Sequence, residues 1–237
     1  MNTDNYQNYY TDPNGAASID ARVTSVMKRV YFKMFFGLII TALVAYFCSQ
    51  SAAVLQYFMN NSWAMWGLLI GEVVLVMAIS GAINKMSSGV ATALFVLFSA
   101  VNGLMLFPIF QVYTETSIYK TFFITAGVFG AMSVYGFFTT RSLARMGSIL
   151  FMALIGLIIA SVVNIFLHSG TMDWIISIGG VLIFVGLTAW DTQQIKNMAM
   201  MAPAESAGKL ATIGALNLYL DFINLFLYLL RFFGDRD

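Results

Sequence analysis

An all-α integral membrane bundle of seven helices is the fold this sequence predicts, and three observations predict it. Mean hydropathy is +0.80, with 59% apolar and only 10% charged residues, where a soluble domain carries about a quarter charged. Apolar runs of spanning length, about 20 residues, recur seven times along the 237 residues. Inside these runs stand three acids, Glu72, Asp191 and Asp221, with no Lys or Arg comparably deep. An Asp at the centre of a membrane helix costs about 3 kcal/mol unless it is paired, solvated or protonated.

The segment 1–22 is rich in Asn, Tyr, Asp and Gly. It has neither the basic start nor the short apolar core of a secretory signal and reads as a disordered tail. The remainder, 23–237, reads as a single seven-helix transmembrane domain. Its runs fall at about 34–55, 63–83, 89–112, 117–139, 147–167, 174–195 and 210–232. Polar punctuation separates them: Asn60-Asn61-Ser62, Asn84-Lys85-Met86-Ser87-Ser88, Thr114-Glu115-Thr116, Thr139-Thr140-Arg141 and His168-Ser169-Gly170. The longest polar connection, Asn197 to Lys209, contains Pro203. No loop is large enough to hold a second domain.

Lys and Arg near helix ends set orientation. With the N-terminus inside, the cytoplasmic side collects Arg22, Lys28, Arg29, Lys33, Lys85, Arg141, Arg145, Lys196 and Lys209. The other side collects Lys120, Arg231 and Arg236. The expectation is N-terminus in, C-terminus out.

The last run carries Asn217, Asp221, Asn224 and Tyr228 at i, i+4, i+7 and i+11, one helical face. Lipid offers such groups no partners, so this stripe should face protein or a water-filled cavity. In the sixth run Thr188, Asp191 and Thr192 share a face. The amides and hydroxyls serve equally as interhelical hydrogen bonds. The aspartates point elsewhere, because an amide would hold helices together with less desolvation. Two carboxyls in reach of one another titrate as a pair rather than as independent acids. Glu72 follows Gly67-x-x-x-Gly71, a spacing that lets a neighbouring backbone approach closely, and reads either as a pore or gating acid or as a protonated packing acid. Asn102, Gly103 and Pro108 suggest a kinked third helix.

Other chemistries find little to build on. The one cysteine, Cys48, excludes an internal disulfide, and His168 is the single histidine. No phosphate-binding glycine loop or catalytic grouping is present, so no cofactor and no enzyme activity are expected. A net charge of +1 gives no electrostatic case for nucleic acid.

The sixth-run string Gly186-Leu187-Thr188-Ala189-Trp190-Asp191-Thr192-Gln193, followed by Leu216-Asn217-Leu218-Tyr219-Leu220-Asp221-Phe222-Ile223-Asn224-Leu225-Phe226, resembles the Bax inhibitor-1 (transmembrane Bax inhibitor motif) family. Gly71-Glu72-Val73-Val74-Leu75 and Gly103-Leu104-Met105-Leu106-Phe107-Pro108-Ile109 extend the likeness to nearly the whole chain from Val23. The short loops are similar to the bacterial inner-membrane branch. The resemblance implies a last helix wrapped by the other six and a pH-sensitive calcium leak, with Asp191 and Asp221 as the pH sensor. It implies Ca²⁺ as the permeant ion, held transiently by Asp191, Asp221 and Glu72, and protons as the regulator. Some members latch the aspartates with an arginine at the end of the second helix; Lys85 is the candidate here, and lysine lacks arginine's bidentate fork. Two other readings stay open. One is a non-conducting regulator or assembly partner of other membrane proteins. The other is an intramembrane aspartyl protease, although no Gly-x-Gly precedes either aspartate.

The charge distribution yields the first test. A reporter fused at Asp237 that is active only in the cytoplasm should be silent, and the same reporter in the Asn197–Lys209 loop should be active. The reverse pattern would overturn the orientation or the helix count.

Overall fold

Helices account for all the regular structure among the described residues, 13–235 of the computed structural model. In chain order they are α1 (Pro13–Ser49), α2 (Ala52–Asn60), α3 (Ser62–Ala82), α4 (Ser88–Leu106), α5 (Ile109–Val112), α6 (Glu115–Phe138), α7 (Ala144–Leu167), α8 (Gly170–Met201) and α9 (Ala207–Phe233). Short 3-10 turns lie at Ile83–Lys85 and Ala204–Ser206. Seven segments are long and apolar enough to cross a membrane: α1 from Ile19, α3, α4 with α5, α6, α7, α8 and α9. The chain is an all-helical membrane bundle, as its sequence predicts.

Polar residues at the breaks start the helices. Ser51, Ser87, Thr114 and Ser169 each accept a hydrogen bond from the backbone N–H three residues on, satisfying a donor that the helix leaves free. The expected kink in the third run is a break instead. α4 ends at Leu106 and Pro108 caps the separate turn α5, because proline has no N–H to continue the ladder.

The first run is the one misplaced by the sequence. The helix expected at about 34–55 begins at Pro13 and ends at Ser49, and residues 52–60 form the separate helix α2. The tail expected as disordered through residue 22 is therefore helical from residue 13; positions 1–12 lie outside the described residues. The cause is amphipathic packing. Val23, Val26, Met27, Val30 and Met34 are buried against the bundle, at helical spacing, while charged residues between them lower the hydropathy of that stretch. α2 has no buried residue, and the exposed Trp63 and Trp66 follow it, a position where tryptophan favours the membrane interface.

α9 is the most buried span, with 67% of its apolar window inside the protein against 11% for α3 and for α7. It packs on α8, α1, α6 and α4, with a shorter contact to α3. α7 packs chiefly on α8.

Side chains close the two ends of the bundle. At the end holding the α1 N-terminus, Lys196 donates to the Phe137 carbonyl at 2.7 Å, and Arg22 donates to the Met200 carbonyl. Gln193 accepts from the Leu143 N–H at 2.8 Å and donates to the Arg141 carbonyl at 2.9 Å, fixing the α6–α7 connection to α8. At the opposite end Asp173 pairs with Arg231 and accepts from Asn164, joining α8, α9 and α7.

The close helix approaches are not where the Gly-x-x-x-Gly spacing placed them. A Cβ on Gly67 or Gly71 would meet nothing within 4 Å, because α3 is peripheral and that stripe faces outward. At Gly136 a Cβ would lie 2.2 Å from the Ala189 carbonyl oxygen, so only glycine lets α6 approach the α8 backbone beside Asp191. Gly136→Ala should therefore destabilise the protein by about 2 kcal/mol, read as a lower thermal midpoint in detergent. Gly67→Ala and Gly71→Ala should hold or slightly raise the midpoint. Equal midpoints for Gly136→Ala and wild type would contradict this packing.

Candidate functional site: a buried carboxyl pair between α8 and α9

Asp191 lies ten residues before the end of α8, and Asp221 lies at the middle of α9. Both are buried, 9% and 4% exposed. Their carboxyl groups hydrogen-bond to each other, and Asn217, one turn before Asp221, bonds to Asp191. The Oδ2 atom of Asp221 is buried and receives no hydrogen bond from an amide or hydroxyl donor among the described residues. Among the described residues the one ion pair within 4.0 Å is Arg231–Asp173, so neither aspartate is neutralised by a cation. Two carboxyls at hydrogen-bond distance in a low-dielectric setting cannot both hold a full charge without a large penalty. A hydrogen bond between them needs one proton, which makes them a single titrating unit.

Two threonines flank Asp191 in the sequence of α8. Thr188 and Thr192 are fully buried. Thr188 donates to its own helix, to the Phe184 carbonyl at 2.7 Å, while among the described residues Thr192 Oγ1 and, on another side of α8, Trp190 Nε1 are buried without a partner. Trp190 lies over Gly147 of α7, where a Cβ would come within 2.3 Å of the indole.

The predicted stripe on α9 is realised in part. Asn217, Asn224 and Tyr228 fall on its half-buried face. Asn217 reaches the pair, whereas Asn224 donates to the Leu220 carbonyl of its own helix at 2.8 Å. Tyr228 lies near Ser161 of α7 and stacks on Phe184 at 5.9 Å. These two residues are thus packing groups.

Two expectations do not hold as stated. Lys85 is exposed at the end of the 3-10 turn and is not among the partners of the pair, so no basic latch forms; Asn217 supplies the donor instead. Nor do the three acids converge on one ion site. No group of three His, Cys, Asp or Glu able to hold a metal occurs among the described residues. Glu72 belongs to a separate network, because Tyr219 and Asp221, two residues apart, point about 200° apart around α9.

That second network escaped the sequence reading. Asn102 Nδ2 donates to Glu72 Oε1 at 2.8 Å. Tyr219, fully buried, donates its hydroxyl to Asn102 Oδ1 at 2.9 Å. Thr41 lies 2.5 Å from the tyrosine hydroxyl and donates to the Ser99 carbonyl at 2.8 Å. Four spans, α3, α4, α9 and α1, meet through this chain. Asn102, read as part of a kink, is its centre. The available signal was Tyr219 and Glu72 as polar groups within apolar runs, but nothing local pairs residues 147 positions apart.

Tyr219→Phe removes the hydroxyl and leaves Asn102 Oδ1 unpaired. It should destabilise by about 1–2 kcal/mol, seen as a lower thermal midpoint. Glu72→Gln keeps an acceptor for Asn102 and should shift the midpoint less. A larger loss for Glu72→Gln than for Tyr219→Phe would invalidate this order.

Comparison with known proteins places this chain in a family. The family described as "Inhibitor of apoptosis-promoting Bax1" matches residues 23–237. The Escherichia coli K12 "Inner membrane protein YbhL" is 49% identical over 219 residues, covering 91% of this chain and 94% of that protein. An uncharacterized protein of Borreliella burgdorferi is also 49% identical, over 212 residues, covering 89% of this chain and 91% of its own. The Rickettsia prowazekii protein RP147 is 39% identical over 232 residues, 98% of each chain. With its seven spans and a family match over residues 23–237, the chain belongs to the Bax inhibitor-1 family of membrane proteins.

Proposed function

We propose that this protein is a pH-sensitive cation leak channel of the inner membrane, with calcium as the permeant ion, and that the Asp191–Asp221 pair is its proton-operated gate. The observation that carries the reading is the pair itself: two buried carboxyls bonded to each other, without a cation, on the two helices that share the bundle's most extensive contact. Helix packing alone would be served by an amide. A proton shared across the α8–α9 contact makes that contact depend on pH. Loss of the proton places two negative charges face to face, and the repulsion favours separation of α8 from α9. Gain of the proton restores the bond. Carboxylate oxygens freed in this way are hard ligands suited to Ca²⁺.

In this reading the N-terminus is cytoplasmic, and Asp191, ten residues from the α8 end that carries Lys196 and the Ala202–Ser206 connection, receives protons from that side. The Asp221 Oδ2 atom, which receives no amide or hydroxyl donor among the described residues, and the unpaired Thr192 hydroxyl beside Asp191 are the polar groups through which a proton or ion would reach the pair. Glu72 acts at a distance from the gate, by setting how α3 and α4 hold α9.

Calcium flux into liposomes holding the purified protein, measured across a pH series, tests this. The wild-type protein should conduct with a pH-dependent rate. Asp191→Asn and Asp221→Asn preserve shape and hydrogen bonding but remove the titrating proton, so each should fold and each should flatten the pH profile. Glu72→Gln should alter the size of the flux more than its pH midpoint. Wild-type pH profiles in both Asp→Asn proteins would return the pair to a structural role, and no flux in any protein would favour the non-conducting regulator.

A further inference from the structure

The N-terminal half of α1 carries a group of cations that form no ion pair among the described residues. The carbon stems of Lys28, Arg29 and Lys33 and the Phe32 ring border a shallow, open depression of about 250 Å³ on one side of the helix. Lys28 and Arg29 are exposed, while Lys33 is half-buried. Lys33 Nζ donates to Thr212 Oγ1 at 2.6 Å, to Thr92 Oγ1 at 2.7 Å and to the Gly208 carbonyl at 3.4 Å. All three acceptors are neutral, so the ammonium is held in place with its charge uncompensated. The nearest acids in sequence on the two elements involved, Asp20 on α1 and Glu205 before α9, form no ion pair within 4.0 Å.

The level of this depression in the bilayer follows from the residues after it. Phe32 is 64% exposed, and Phe35, Phe36, Ile39, Leu43 and Phe47 continue an outward apolar face toward the C-terminal end of α1. The Phe32 and Phe36 rings lie 4.5 Å apart. Lipid tails therefore cover α1 from Phe32 onward, and Lys28 and Arg29, one turn earlier, stand where lipid phosphates lie. A fixed ammonium, two free cations and an aromatic ring at the tail boundary complement a molecule with an anionic phosphodiester and attached acyl chains.

We propose that Lys28, Arg29, Phe32 and Lys33 form a binding site for the headgroup of an anionic phospholipid in the leaflet that surrounds the N-terminal half of α1. The phosphodiester accepts from the Lys28 and Arg29 side chains, the Lys33 ammonium, whose three donors are taken by Thr92, Thr212 and Gly208, adds only its charge at longer range, and the first acyl carbons lie along Phe32. Because Lys33 is bonded to Thr212 and Gly208, a lipid held there adds a tether to the start of α9, the helix that carries Asp221.

Native mass spectrometry of the purified protein in neutral detergent, titrated with phosphatidylglycerol or phosphatidylcholine, tests the proposal. The wild-type protein should retain phosphatidylglycerol in preference to phosphatidylcholine. Lys28→Gln/Arg29→Gln should weaken phosphatidylglycerol binding about 30-fold, from the loss of two interfacial cations, while Lys28→Arg/Arg29→Lys should bind as wild type does. Raised salt should erode the preference of the wild-type protein without any substitution. The proposal fails if the two lipids bind equally, if the double glutamine variant binds phosphatidylglycerol as tightly as wild type, or if inorganic phosphate displaces the lipid at the same concentration, which would mark a free-anion site.

Discussion

Everything at the centre of this bundle depends on how two carboxyls are accommodated away from water. Lipid cannot solvate Asp191 or Asp221, and among the described residues no lysine or arginine pairs with either. The remaining solution is mutual: each carboxyl is the other's partner, and Asn217 supplies a further donor. That solution requires α8 and α9 to lie close along the stretch that carries them. The glycines do this work. Gly136 admits α6 against the Ala189 carbonyl, and Gly147 admits Trp190 against α7, so the residues flanking Asp191 on α8 are fixed from two directions. At Gly180 a Cβ would lie 2.6 Å from the Tyr228 ring, which sets the α8–α9 spacing three turns from Asp191 along α8 and two turns from Asp221 along α9. The Gly136–Ala189 approach is a backbone contact that cannot relax by rotating a side chain, and the Trp190 and Tyr228 rings fill the space at the other two glycines.

α9 carries two polar systems on opposite sides, and this shapes what the helix can do. One side meets α8 through Asp221; the other meets α1, α3 and α4 through Tyr219. The two residues are separated by one position, so a rotation or shift of α9 that opens the carboxyl pair also strains the tyrosine network. The network's bonds are short, and its tyrosine is fully buried. It opposes movement of the helix with the strength of several interhelical hydrogen bonds, each about 0.6 kcal/mol in a membrane setting. A total near 2 kcal/mol is enough to bias a two-state helix position and small enough for a change of protonation at the pair to overcome.

Sequence disclosed those features whose physics is local. The hydropathy of seven runs placed six spans to within a few residues, and the 3.6-residue period put Asn217 and Asp221 on one face. Asp191 and Asp221 stood out because a charge in an apolar run carries its own penalty, whatever its neighbours. Three features failed for the opposite reason. The start of α1 is helical because Val23, Val26 and Val30 find partners on α8 and α9, and a hydropathy window sees only the intervening charges. Gly67 and Gly71 have the spacing of a helix contact without a helix opposite them. Lys85 was chosen for its place in the sequence, but the donor at the pair is Asn217, on the same helix as Asp221. The Tyr219–Asn102–Glu72 chain was invisible because each of its members is ordinary alone.

The cations at the N-terminal end of the bundle do more than mark an orientation. Arg22 and Lys196 donate to carbonyls in the last turns of α8 and α6, and Lys209 donates to the Asn84 carbonyl at 3.2 Å. A helix leaves its last carbonyls without intrahelical donors, and positive charge is favoured beside them. Three connections, after α3, after α6 and after α8, are therefore tied by the same residue types that the positive-inside rule counts. A bundle built with these cations at its other end would lose its orientation signal and the closure of its loops together. The charge pattern is consequently constrained by packing as well as by insertion, and Lys33, bonded to Thr92 and Thr212, shows the two demands meeting in one side chain. Lys28 and Arg29 make no such bond to the protein, which leaves their charge available to the surrounding lipid.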